Sequence, residues 1–168
     1  MVATFSFVEA NSTAANTGVP TNLNLGSVNS SDLATSTYPI TAGTYSYSKW
    51  VQGLWTGDFT RIENLQFWMS SSGEGYKSGE KLNVSATTES YAGTDTYVTP
   101  TNTVDAKAVN TMPIADPGAA NIGVGGSLAG SLTDIGYSDF IVIQASISSA
   151  AAAGETNTKQ FRLQYDEV

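Results

Sequence analysis

Two runs near the carboxyl end constrain the fold more than any other feature. In residues 139–147, Ile141, Ile143, Ala145 and Ile147 alternate with Phe140, Val142, Gln144 and Ser146. In residues 159–165, Phe161, Leu163 and Tyr165 alternate with Gln160, Arg162 and Gln164. A period of two marks a strand, because successive side chains point to opposite faces. The first run is apolar on both faces at its start, which predicts a strand covered on both sides; the second predicts one buried and one wet face. About ten residues separate them, too few for a comfortable parallel crossover, so the two runs are expected to pair antiparallel.

Other segments repeat the signal more weakly. Residues 2–8 read as a strand with Phe5 and Phe7 on one face, followed by a polar loop and a short strand at 23–28. Residues 51–56 and 61–69 read as two strands joined by the turn residues Thr56, Gly57, Asp58 and Phe59. In the second, Ile62 is out of phase with Leu65, Phe67 and Met69, which predicts either a bulge near Glu63 and Asn64 or apolar residues on both faces. Leu82, Val84 and Ala86 form another alternation, and residues 96–99 and 104–109 have short strand-like pieces. Residues 112–136 hold two prolines and a dense run of glycines, the pattern of a long irregular loop wrapping a sheet edge or lying on a neighbouring subunit. Only 13% of the residues are charged, about half the usual share, and Ser, Thr, Asn and Gly replace them. That material suits strands and loops better than surface helices. The expected fold is all-β, an antiparallel β-sandwich of about eight strands with long loops, jelly-roll or immunoglobulin-like. It is expected as one domain over residues 1–168, with residues 1–37 as an extended amino-terminal arm.

The same composition limits the chemistry. With no cysteine and no histidine, the chain has no disulfide, no thiolate metal site and no Ser-His-Asp or Cys-His nucleophile system. A net charge of −8, from 15 acidic and 7 basic residues, repels nucleic acid and anionic membranes, so neither is expected as a partner. No apolar run reaches membrane-spanning length, and the opening residues lack the pattern of an export signal. Catalysis would rest on carboxylate pairs such as Asp58 with Glu63 or Asp134 with Asp139, but turn aspartates more commonly hold backbone amides, and no enzyme is expected. Neither glycine-rich segment has phosphate-loop or dinucleotide spacing: Glu80 follows Gly79 where a lysine is required, and Leu128 stands where a third glycine is required. No calcium-loop spacing occurs, and no metal or cofactor is expected. The triplets beginning at Asn11, Asn29 and Asn83 match the glycosylation sequon, which arises easily in a chain rich in Asn, Ser and Thr. Residues 45–69 hold all three tryptophans. Most sheet aromatics pack in cores, but one flat on the surface can stack on a sugar ring. Trp55, beside a turn, with Tyr76, Tyr91 and Tyr97, is the candidate set for that role.

Residues 38–50 (YPITAGTYSYSKW), 62–68 (IENLQFW), 112–117 (MPIADP), 121–122 (NI), 138–144 (SDFIVIQ) and 161–167 (FRLQYDE) together resemble a family of small β-rich virion proteins of tailed bacteriophages. The resemblance implies a non-enzymatic structural protein that decorates or cements the capsid. It would bind the major capsid protein and neighbouring virion subunits on the capsid exterior, after assembly in the host cytoplasm. It also implies a homo-oligomer, a trimer by analogy, and brings no catalytic residue. The alternatives are a carbohydrate-binding module or host-surface adhesin, or a head-tail or tail component. The resemblance does not extend to residues 1–37. Contacts with the shell are expected in the amino-terminal segment and in residues 112–136.

Overall fold

The structure, a computed structural model, describes residues 2–10, 18–70, 75–85, 97, 99–100, 103, 110–154 and 156–168. Among them there are eight strands and no helix: β1 (Thr4–Ala10), β2 (Lys49–Thr56), β3 (Ile62–Met69), β4 (Glu80–Ser85), β5 (Asn110–Thr111), β6 (Gly136–Tyr137), β7 (Ile141–Ile147) and β8 (Phe161–Glu167). Every pairing is antiparallel. One sheet has the order β1-β2-β7-β4-β5, with β6 also on β2; the other is the pair β3-β8.

β7 is the hub of the larger sheet because both of its faces are apolar, as its alternation predicts. Ile141, Ile143 and Ala145 join the main core with Val51 and Trp55 of β2, Leu82 and Val84 of β4, and Ile62, Leu65, Phe67 and Met69 of β3. Phe140 and Val142 turn the other way into a second cluster with Ala10 and Trp50. Side chains of both sheets therefore meet in one core, and Phe161, Leu163 and Tyr165 of β8 pack against it.

β7 and β8 do not pair, contrary to expectation. Both edges of β7 are occupied, by β2 and by β4, so the connection carries the chain across to β3 in the other sheet. The turn residues after Thr56 likewise lead from one sheet to the other rather than closing a hairpin. The irregularity in β3 is a bulge: Glu63 faces Asp166 and Gln66 faces Gln164, leaving Asn64 and Leu65 opposite Tyr165 alone. Asn64 takes a φ of 55°, and this reset of phase lets Ile62 and Leu65 both point into the core. A second bulge joins β6 to β7, where Ser138, Asp139 and Phe140 stand opposite only Gln52 and Gly53. Gly53 N–H donates to Ser138 Oγ at 2.9 Å, Ser138 N–H to Gly53 O at 2.8 Å, and Gln52 Nε2 to Ser138 O at 2.6 Å.

The amino-terminal segment is not a free arm throughout. β1 pairs with β2 from Thr4↔Thr56 to Ala10↔Trp50, and its Phe5 and Phe7 lie against the core. Residues 23–28 form no strand. Their backbone is tied to other loop groups instead: Asn24 N–H donates to Asn22 Oδ1 at 3.0 Å, and Ser27 N–H to Tyr38 O at 3.2 Å, while Leu23 and Leu25 still pack on the core. The pieces expected at 96–99 and 104–109 fall almost wholly outside the described residues.

Candidate functional site

The sugar-platform residues are not assembled on a surface. Trp55 is 0% exposed, wedged against Phe5 at 5.2 Å and Tyr165 at 5.4 Å between ring centroids. Tyr76 packs on the core with Lys159 Nζ 5.7 Å from its ring centre, and burial pushes its hydroxyl pKa up. Tyr97 lies against Trp50 at 5.2 Å, in the second cluster; Tyr91 lies outside the described residues. Trp55 stands near a turn, but it shares the phase of Val51 and Gly53, which puts it on the inner face of β2.

Of the four candidate carboxylates, Glu63, Asp134 and Asp139 are spent on local structure. Glu63 pairs with Arg61 at 2.9 Å. Asp134 Oδ1 accepts the Ile135 N–H at 2.7 Å. Asp139 Oδ2 accepts the Gly126 N–H at 2.8 Å; burial raises its pKa, against the pull of the Gly126 and Gly125 amides. Those two glycines have φ of 80° and 63° within the turn from Val124 to Ser127, a two-residue loop that only residues tolerant of positive φ can make. The glycine run is thus a tight turn held by a carboxylate. Asp32 serves a similar end, accepting Thr21 Oγ1–H at 2.7 Å, Thr21 N–H at 2.8 Å and Asn22 N–H at 3.1 Å, which hold its pKa below the ordinary 3.8. Among the described residues, two ion pairs are withdrawn from solvent: Lys49–Glu9 at 2.7 Å, where Lys49 Nζ also donates to Ser30 O, and Lys159–Glu80 at 2.8 Å. Among the described residues, no three His, Cys, Asp or Glu side chains converge to hold a metal.

Two features of the surface have the character of contact sites. The first is the loop of residues 112–135, which wraps the outer edge of β3. Met69 N–H donates to Pro113 O at 2.8 Å, and Ile62 and Leu132 exchange two backbone bonds of 2.9 Å. Between them, the Asn121 side-chain amide stands in for a strand: Phe67 N–H donates to its Oδ1 at 2.7 Å and its Nδ2 donates to Phe67 O at 2.9 Å. With its backbone fixed to β3, this stretch and the strand after it still leave Ile114 (55%), Ile135 (61%) and Tyr137 (44%) exposed.

The second is a cleft of about 550 Å³ between the outer edges of β1 and β8, lined by Phe5, Phe7, Phe161, Leu163 and Tyr165 together with Trp68, Arg162 and Gln164. The cleft is pinned at one end, where Ala3 N–H donates to Glu167 Oε1 at 3.0 Å. Alternation found both strands, but not which of their edges lacks a neighbour; that depends on strand order, which no local pattern encodes.

No protein-family model, curated protein or solved structure matches this chain.

Proposed function

We propose that this chain is a non-enzymatic structural component of a tailed-phage virion, a β-sandwich that decorates the capsid and cements it by binding the major capsid protein. The reading rests on the sequence resemblance, and one observation supports it: large apolar side chains, Ile114 and Ile135, held outward on a loop whose backbone is already fixed to β3. An exposed isoleucine on a loop with a fixed backbone can bury its surface against a neighbour with little cost for ordering the backbone. Several modest contacts of this kind, repeated around a shell, add up through multivalency. The amino-terminal contribution shrinks accordingly: β1 belongs to the folded body, so deleting residues 1–20 would damage the sheet rather than remove an arm.

Co-sedimentation of the purified protein with capsid shells, at two salt concentrations, tests the proposal. Saturable binding at a fixed ratio to the capsid subunit is expected, and Ile135→Asp should weaken it at least about tenfold without changing the melting profile. Protein left in the supernatant at both salt concentrations would overturn the decorating role; a glycan array would then decide the carbohydrate-binding alternative.

A further inference from the structure

The outer edge of β8 is an open ladder whose side chains complement themselves. Ser70 N–H donates to Gln160 O, and Arg61 and Val168 exchange both backbone bonds, so the even-numbered residues of this strand bond toward β3. The backbone groups of Phe161, Leu163 and Tyr165 therefore point away from β3, to the side where β8 has no neighbouring strand among the described residues. On the wet face lie Arg162, Gln164 and Asp166, all exposed. The Arg162 guanidinium enters no salt bridge or hydrogen bond among the described residues. Asp166 uses Oδ2 for Asn64 Nδ2 at 3.0 Å and keeps its other oxygen.

We propose that β8 pairs antiparallel with β8 of a second copy of this chain about a twofold axis through Gln164. Outward-pointing residues must face one another for the ladder to bond, which restricts a twofold pairing to centres on a single residue. Centring on Arg162 would set two guanidiniums face to face, and centring on Asp166 two carboxylates. Centring on Leu163 would place Arg162 opposite Gln164. Centring on Tyr165 would place it opposite Val168. Only the Gln164 centre places Arg162 opposite the partner's Asp166, twice by symmetry, while Leu163 and Tyr165 exchange backbone bonds. These charged pairs fall at the non-hydrogen-bonded positions, where facing side chains come closest. The incoming strand also brings its own Leu163 and Tyr165 to the cleft, next to Phe5 and Phe7, so half-buried apolar surface on both copies is covered.

The proposal concerns the purified chain alone, so its failure and that of shell binding are separate results. Sedimentation equilibrium of the full chain should show a species of twice the 17.6 kDa chain mass as concentration rises. Arg162→Glu should raise the dissociation constant by roughly tenfold or more, and the swapped pair R162E/D166R should restore it. The register has its own test, because the native chain has no cysteine. Gln164→Cys faces itself across the axis and should form a disulfide-linked dimer on mild oxidation, whereas Arg162→Cys, facing Asp166, should not. A monomer at every concentration would overturn the pairing, and the unpaired Arg162 would then simply guard an edge strand against aggregation. A dimer indifferent to R162E, or equal cross-linking of the two cysteine variants, would overturn the proposed interface.

Discussion

Gly53 shows how one residue sets the inner face of β2. A Cβ built there would lie 2.6 Å from Trp55 Cη2 and 3.0 Å from Phe5 Cε2, too close for either ring to stay. The missing side chain is the space into which the indole folds back, which is how Trp55 reaches complete burial at the end of a strand. Its neighbours cannot give way easily, since the ring is also held against Tyr165. Gly53→Ala is therefore expected to destabilise the fold by about 1–3 kcal/mol through overpacking. Gly125→Ala meets open space and suffers only its positive φ, for about 1 kcal/mol. Urea unfolding of the two variants checks the order; an equal or smaller loss at position 53 would mean that Trp55 has another accommodation.

At the level of elements, β8 makes a prediction that depends only on its pairing. In the R162E variant below its association range, the amides at positions 162, 164 and 166 should resist hydrogen exchange, while those of Phe161, Leu163 and Tyr165 exchange roughly a hundredfold faster. Uniform protection along the strand in that variant would show that the edge is covered from within the chain. The alternation of Phe161, Leu163 and Tyr165 made this strand, and β7, legible in the sequence, and the phase error at Ile62 made the β3 bulge legible too. What stayed hidden was which strands are neighbours. The break after Ile147 looks like a hairpin connection, yet β4, from the middle of the chain, already occupies that edge of β7. Asn121 was equally unreadable: a lone asparagine in a glycine-rich loop carries no sign that its amide will pair with Phe67 as a strand would. Local patterns report which face a residue takes: the phase Trp55 shares with Val51 and Gly53 marks it as inward-facing, whatever its closeness to a turn.

For the whole molecule, the consequence of this strand order is kinetic. Thr4 pairs with Thr56, Lys49 with Ile143, Leu82 with Ala145 and Ile62 with Glu167, so each ladder joins segments distant in the chain. The larger sheet cannot close until β7, its central strand, has found both β2 and β4. The smaller sheet needs a closure as long, between Ile62 of β3 and Glu167 of β8. Each closure costs chain entropy before any core contact repays it, and there is no helix among the described residues to supply early local structure. Folding of the isolated chain is therefore expected in milliseconds to seconds, the range of all-β domains dominated by non-local pairing. Stopped-flow tryptophan fluorescence can follow it, since Trp50 and Trp55 are both fully buried and lie in the two separate clusters. Submillisecond folding would imply that a local unit forms first, which the observed order of strands does not offer. If Trp50→Phe and Trp55→Phe variants gave the same rate, the two faces of the larger sheet would be closing in one step, as expected when β7 carries both.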